Sequence, residues 1–279
     1  MRDKTTDVER LEAQLAAWAG GIGAELQFWD AWLETRGLRW PEDHGRRMDP
    51  EAPLDPRAAE AARGLAREGR VRILDVGAGP ATMLRRRLPG VEVEVTATDP
   101  LAPLYAALLA RHGAAPPVAS RFAPAEDLRA FFPADEDGFD LVHCRNALDH
   151  SFDPLRGLAQ MLAVARPGGA VLLAQFEDEA EREGYAGLHQ WNFAVRGGRF
   201  TMWNRGGAVD VASALAGLPC RVASCRAEDG GIEVLIEKTG PTPPEPEAAL
   251  RARLAACLEA FVRVLGAARL PGATAAAAH

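Results

Sequence analysis

Several things are scarce in this chain of 279 residues, and each scarcity removes a class of protein. Cysteine occurs only at Cys144, Cys220, Cys225 and Cys257, too few to staple a fold of this length with disulfides. Cys220 and Cys225 flank a strand-like segment with no His/Cys set at zinc spacing beside them, so the pattern predicts no metal. No apolar run approaches the roughly 20 residues that span a bilayer. The opening stretch MRDKTTDVERLEAQ lacks the apolar centre of a signal peptide, which predicts a cytoplasmic protein with no membrane partner. A basic surplus is missing too. The formal net charge is −7, whereas phosphate contacts demand Lys and Arg, so nucleic acid is disfavoured as a partner. The arginine run LRRRLP (84–89) then reads as a solvated helix face.

What is present is the composition of a globular protein, 48% hydrophobic and 25% charged. Leu11, Leu15, Trp18, Ile22, Leu26 and Trp29 recur at spacings of three and four, which predicts helix over 7–36, with a break at Gly20, Gly21 and Gly23. Residues 38–56 are rich in Pro and charge and read as a loop, followed by a helix over 57–68. From there strands and helices alternate. Strands are predicted at 71–76, 91–99, 117–123, 139–145 and 170–177, and helices at 82–88, 103–113, 125–132 and 154–169. Such alternation predicts a parallel sheet covered on both faces. A hairpin follows at 221–239. A Pro-rich linker over 240–247 then leads to a helix striped by Leu250, Leu254, Leu258, Phe261 and Leu265. That stripe suits either packing on the body of the protein or a homodimer contact. The tail ATAAAAH is of low complexity.

The stretch ILDVGAGPAT (73–82) is a strand entering a glycine-rich turn. A dinucleotide fold would place three glycines as G-x-G-x-x-G, but the third position here is Thr82. An acid, Asp75, precedes the turn. A carboxylate there repels a pyrophosphate and suits a ligand carrying an ammonium group. A ribose-bearing ligand also needs a hydroxyl acceptor at the end of the second strand, where Asp99 stands.

VRILDVGAGPAT, then TATDP, then APAEDL, then FDLVHCRNALDH resembles the four successive motifs of the class I S-adenosylmethionine (SAM)-dependent methyltransferases, over roughly residues 70–180. The resemblance implies an α/β fold with a doubly wound, mostly parallel seven-stranded sheet ending in an antiparallel hairpin. It divides the chain into an N-terminal helical cap (1–68), a SAM-binding domain (69–239, with an acceptor or lid insertion at 184–217) and a linker with C-terminal helix (240–279). Carried over residue by residue, Asp75, Gly77, Ala78 and Gly79 would meet the methionine half of SAM. Asp99 would meet the ribose, Leu101 the adenine face, and Glu126 and Asp127 the adenine edge. Arg145 and Asn146 would face SAM and the acceptor. Many relatives read GAGPG where this chain has Ala81. The alternatives are a tight turn for the glycines, a helix cap for Asp99, first-turn acids for Glu126 and Asp127, and a turn for Asn146.

The implied reaction is methyl transfer to an O or N atom of a small-molecule acceptor, of the sugar or secondary-metabolite class, with S-adenosylhomocysteine as product. An acceptor that must lose a proton calls for a general base. His150, just past the fourth strand, is the first candidate, with His189 and Tyr185 as rivals and Asp149 orienting a neighbour. Trp191, Asn192, Trp203 and Asn204 offer aromatic walls with polar groups between them, suited to an acceptor pocket or to plain lid packing. Arg46 or Arg47 would reach the SAM carboxylate. An RNA or protein methyltransferase, or a non-catalytic scaffold with the same fold, is the alternative. CRNALDH after the fourth strand lacks the Asn/Asp-Pro-Pro-Tyr pattern of RNA amino-group enzymes.

Overall fold

The computed structural model describes residues 4–84, 86–132, 137–245 and 248–269. Arg85 of the arginine run, the end of the Pro-rich linker and the alanine tail lie outside the described residues. The chain begins with one uninterrupted helix, α1 (Lys4–Glu34). The predicted break at the glycines is absent for a packing reason. A Cβ on Gly21 would lie 2.4 Å from the carbonyl oxygen of Gly187, so the glycine lets a later segment press onto the helix. Trp18, Ile22, Leu26, Trp32 and Leu33 of α1 are buried. Residues 41–48, expected to be irregular, form α2 (Pro41–Met48), with Pro41 at the start where its missing N–H costs nothing. Next comes α3 (Pro56–Leu65), N-capped by the Asp55 side chain.

The sheet follows. β1 (Arg70–Val76) pairs in parallel with β3 (Val91–Asp99) on one side and with β5 (Phe139–Arg145) on the other. Among the described residues of 82–88 the predicted helix is absent. Thr82 Oγ1 donates to Asp75 and accepts from the Leu84 N–H, and Ala81 bridges to Ala119. The Pro89–Gly90 turn then folds a two-residue β2 (Arg87–Leu88) back onto β3. α4 (Ala102–Arg111) leads to β4 (Arg121–Phe122), which extends β3 at its other end. The predicted helix at 125–132 is a 3₁₀ segment (Ala125–Ala130) kinked at Asp127.

A second 3₁₀ turn (Leu148–His150) and α5 (Pro154–Val164) carry the chain to β6 (Ala165–Phe176), parallel to β5. A short α6 (Glu179–Arg182) precedes a separate antiparallel sheet of β7 (Asn192–Arg196), β8 (Arg199–Asn204) and β9 (Gly207–Asp210). After α7 (Val211–Ala214), β10 (Cys220–Glu228) and β11 (Gly231–Lys238) form the expected hairpin, with β11 antiparallel to β6.

The main sheet therefore runs β10-β11-β6-β5-β1-β3, with β2 and β4 sharing the far edge of β3. It has eight strands but seven positions, a mostly parallel doubly wound order with the antiparallel hairpin at one edge. Last comes α8 (Ala248–Arg269), packed on α4 and the first 3₁₀ segment. It buries Ala255 and Val262, while Leu254 and Phe261 of the expected stripe stay exposed. Small residues set this rotation: a Cβ on Gly266 would lie 2.5 Å from Leu104. Among the described residues no helix is long and apolar enough to cross a membrane.

Candidate active site

β1 and β5 are neighbours whose onward connections leave in opposite directions, toward β3 and toward β6. In open α/β sheets this switch point is where ligands bind, beyond the carboxyl ends of the strands. Two loops meet there. The turn after β1 holds Gly77 at φ +71° and Gly79 at φ +66°, both in the left-handed region that glycine enters freely. A Cβ on Gly77 would stand 2.4 Å from the Cβ of Ala147, in the loop after β5. One on Gly79 would stand 2.6 Å from the ring of Trp29. The N–H groups of Gly77 and Ala78 both donate to the Thr98 carbonyl, tying the turn to β3.

Asp99 ends β3 and is 7% exposed. Its Oδ2 accepts from the Gly79 N–H at 3.1 Å and its Oδ1 from the Leu101 N–H at 2.8 Å. Each carboxylate oxygen still has acceptor capacity to spare. Burial pushes the Asp99 carboxyl up to about 7 despite those two N–H donors, with the Glu25 charge adding to the rise. Leu101 is buried beside it.

A cap of N-terminal residues covers the turn. Glu25 Oε1 accepts from Trp29 Nε1 at 2.7 Å and from the Tyr105 hydroxyl at 3.3 Å. Burial, reinforced by the charges of Asp99 and Glu25, drives the Tyr105 hydroxyl well above its ordinary pKa. The Arg47 guanidinium lies over the Trp29 and Trp32 rings and pairs with Asp43 at 2.8 Å. It also donates to the carbonyls of Ala81 at 2.6 Å and Ala78 at 3.3 Å. Its hydrogen bonds thus go to the backbone of the turn itself. Arg46 lines a shallow cleft alongside, with Thr82 and Pro117.

Four of the motif residues make protein contacts of their own here. Asp75 is 2% exposed, and its two oxygens take the hydroxyl of Thr82 and the Nδ1 of His143 at 2.7 Å. These two bonds brace the turn from behind. Asp127 pairs with Arg156 at 2.8 Å, which also pairs with Glu245, and its N–H donates to the Pro124 carbonyl. Its side chain therefore ties the 3₁₀ segment to α5 and the linker. The Arg145 guanidinium lies 3.7 Å from Asp55, the cap of α3, so it reaches away from the turn. Asn146 spends its backbone rather than its side chain, at φ +45° with its N–H on the Ala174 carbonyl. Glu126, by contrast, is 3% exposed, accepts the Asp153 N–H at 3.3 Å, and is pushed up to about 7 by burial.

The loop after β5 brings three candidates together. His189 Nδ1 lies 2.8 Å from Asp149 Oδ2, and His150 Nε2 lies 3.2 Å from His189 Nδ1 and 3.4 Å from Asp149 Oδ2. Asp149 is 1% exposed and its Oδ1 has no hydrogen-bond partner. Burial favours its neutral form, but His150 and His189 outweigh that and hold it below the usual carboxylate range. Burial opposes a charge on His189 as well, yet its bond to Asp149 leaves its pKa raised. Glu179, at the start of α6, is pushed up to about 7 by burial and by the Asp149 charge. The amide nitrogen of Gln190 and the indole N–H of Trp191 are also buried without partners.

The remaining candidates are engaged elsewhere. The Tyr185 hydroxyl accepts from Asn192 Nδ2 at 2.9 Å, and its ring lies under Arg205. Asn192 is fully buried and also accepts the Glu181 N–H. The Trp203 indole donates to Asp178, and Asn204 accepts the Gly206 N–H in a turn. These bonds build the small sheet and join it to α6, so of the four expected acceptor-pocket residues Trp191 alone keeps a free buried donor. Glu25, Trp29, Tyr105 and Glu179 were not singled out from the sequence. They lie far along the chain from the motifs, and only Trp29 carried a signal, as part of an apolar stripe.

Comparison with known proteins agrees with this geometry. Residues 74–171 match the family described as "Methyltransferase domain". A demethylmenaquinone methyltransferase of Deinococcus radiodurans is 34% identical over 127 residues, covering 44% of this chain and 50% of that protein. The chain thus aligns with about half the length of that relative. Two solved structures resemble the chain more distantly. One is a complex of the Haloferax volcanii Trm112 methyltransferase activator with a methyltransferase (TM-score 0.46, 16% identity, 76% of this chain and 97% of that one). The other is the Burkholderia thailandensis 1,6-didemethyltoxoflavin-N1-methyltransferase (TM-score 0.42, 19% identity, 80% and 89%). Residues 74–171 thus match the methyltransferase-domain family, and the seven-position sheet order is the one that the resemblance of the four motifs to class I SAM-dependent methyltransferases implies.

Proposed function

We propose that the protein is an enzyme that uses SAM to transfer a methyl group to an oxygen or nitrogen atom of a small-molecule acceptor. The observation that carries this reading is Asp99, a buried carboxyl at the end of β3 that is bonded to the glycine turn and retains acceptor capacity. Such a group fits a ribose diol, whose two hydroxyls would offset the burial of its charge. Gly77 lets the loop after β5 close onto the turn, and Gly79 does the same for Trp29 of α1. SAM, when bound, supplies a methyl carbon already activated by its sulfonium.

The chain's own residues then have three tasks. Asp99, Leu101 and Glu126 would hold the nucleoside half. The cap of Glu25, Trp29 and Arg47 closes over the turn and keeps water out, and alignment in such an enclosed site can supply up to about 7–11 kcal/mol of a barrier. The cluster of Asp149, His150 and His189 stands beyond β5, on the side the acceptor would take, and is where an acceptor proton would be lost. A base so placed is worth ~10²–10⁴-fold. The unpartnered donors of Gln190 and Trp191 suit an acceptor with one or two polar atoms on a flat apolar body. The Deinococcus radiodurans relative is named for demethylmenaquinone, which supports a small molecule over RNA or protein.

The test is to incubate the protein with methyl-labelled SAM and a panel of small phenols, quinols and sugars, and to measure S-adenosylhomocysteine. Acceptor-dependent product that falls about 10–100-fold in Asp99→Ala is expected, since one or two hydrogen bonds to a charged group are lost. Product formed only with RNA or protein acceptors would overturn the small-molecule reading. SAM binding without transfer to any acceptor would point to a scaffold instead.

A further inference from the structure

We propose that Asp149 Oδ2, His150 Nε2 and His189 Nδ1 bind one divalent first-row transition-metal ion, whose open side would receive an oxygen atom of the acceptor. The proposal rests on the methyltransferase reading for the use of the ion but not for its binding, and with the ion bound it is the ion, not a free ring nitrogen, that would ease loss of the acceptor proton. Among the described residues these three form a set of ligand-type atoms close enough to share an ion. Their separations of 2.8, 3.2 and 3.4 Å define a small triangle. Its centre lies about 1.8 Å from each corner, so an ion with bonds of about 2.1 Å sits about 1 Å out of the plane. All three bonds then lie on one side of the ion, and the opposite side is open. Two imidazoles and one carboxylate so arranged are the donor set of open transition-metal sites. Magnesium and calcium prefer oxygen alone.

Proton accounting points the same way. Asp149 Oδ2 and two imidazole nitrogens converge on one spot. If His189 Nδ1–H donates to Asp149, that nitrogen has no lone pair for His150, which is left to share the same N–H at 3.2 Å or to reach Asp149 Oδ2 at 3.4 Å. If His150 Nε2–H donates to His189, two lone pairs confront each other across 2.8 Å between His189 and Asp149. Protonating both rings sets two N–H groups face to face. A cation satisfies all three lone pairs together. Asp149 Oδ1, buried and without a partner, is a second acceptor on the same carboxylate that the protein leaves unused.

The ligands are held independently of the ion, as a preformed site requires. Asp149 and His150 sit in the 3₁₀ turn that follows β5. The segment carrying His189 is clipped to Asp149 by the Gln190 N–H on the Asp149 carbonyl, and pinned to α1 where Gly21 admits Gly187. The His150 and His189 side chains are 20% and 25% exposed, so the site opens toward the acceptor side. An acceptor with two neighbouring oxygens, such as a vicinal diol or a hydroxy-ketone, matches such an ion.

The experiment is a titration of untagged, chelator-stripped full-length protein with Co(II), followed by its visible absorption and repeated with Zn(II) as competitor. One Co(II) per chain, displaced by Zn(II), is expected. His189→Ala and Asp149→Asn should each weaken binding more than about 100-fold, because loss of an outer-shell partner alone costs 10–100-fold. His112→Ala alters a separate His–Asp pair with Asp30 and should leave the affinity unchanged. Should the Asp149 variant fail to fold by circular dichroism, the part-exposed His150→Ala takes its place. No spectral change up to millimolar Co(II), or binding that ignores the cluster variants, overturns the proposal. SAM is absent from this titration, so failure of the cofactor reading would leave the metal result standing.

Discussion

Gly79→Ala reports directly on how the N-terminal cap and the glycine turn depend on each other. Gly79 sits at φ +66°, where an L side chain costs roughly 1–2 kcal/mol. The new methyl would stand 2.6 Å from Cζ2 of Trp29, well inside van der Waals contact. The turn cannot retreat, since Gly77, Ala78 and Gly79 are all hydrogen-bonded to β3. The Trp29 ring must therefore shift, loosening edge contacts with Trp32 at 5.3 Å and Tyr105 at 6.2 Å, each worth about 0.5–1.5 kcal/mol. The sum is about 2–5 kcal/mol of unfolding free energy, measured by urea denaturation with tryptophan fluorescence. Trp29→Ala removes the clashing ring, so in the double variant the glycine change should cost only its backbone part, about 1–2 kcal/mol. Additive costs in this cycle, or a Gly79→Ala loss below about 0.5 kcal/mol, would refute the close contact between cap and turn.

Other perturbations probe the frame and the buried carboxyls. Arg166→Met leaves Asp140 buried without the guanidinium that bonds its Oδ1 and should cost about 3–5 kcal/mol by chemical denaturation, whereas a loss under 1 kcal/mol contradicts the buried pair. Lys238→Met takes an ammonium donor from the carbonyls of Ala163 and Ala165 at the end of α5 and should cost about 1–3 kcal/mol in the same assay. Gly21→Ala should push the 184–191 segment off α1 and raise its amide hydrogen exchange, while unchanged protection there argues against the contact. Asp99 and Glu126 are raised by burial to about 7, above unfolded values near 3.9 and 4.3. The stability they contribute is complete below about pH 4 and is lost as pH rises through about 7. The ligand-free protein should therefore weaken across that window. The Asp99→Asn/Glu126→Gln double variant should show a flatter profile, and an unchanged slope would contradict the raised values.

The chemistry of individual residues explains what could be read before the fold was seen. β1, β5 and β6 were legible because strands buried on both faces need unbroken runs such as VRILDV, FDLVHCR and AVLLAQF. The hairpin of β10 and β11 announced itself by the Gly-Gly turn. The helix after β1 was misjudged because TMLRRRL has helix-forming residues, while its true conformation is set from outside by Asp75 holding Thr82. α2 was missed because PEDHGRRM has no buried residue to give it an apolar period. The glycines of α1 looked like breakers, but Gly21 serves a contact with a residue 166 positions later. At the site, the turn and Asp99 were visible in two successive motifs. The meeting of His150 with His189 was not, because α5, β6 and α6 separate them in the chain and no local spacing encodes the pairing. The bond of Asp75 to His143 was not legible either, since the two stand 68 positions apart.

The most direct measurement is calorimetric titration of the purified protein with SAM, S-adenosylhomocysteine and NADH, alongside Asp99→Asn. Micromolar binding of the first two, none of NADH, and affinity about 10–100-fold weaker in the variant is the predicted result. No binding of either sulfur ligand, or affinity that ignores Asp99, would contradict the assignment of the glycine turn and Asp99 as the SAM site.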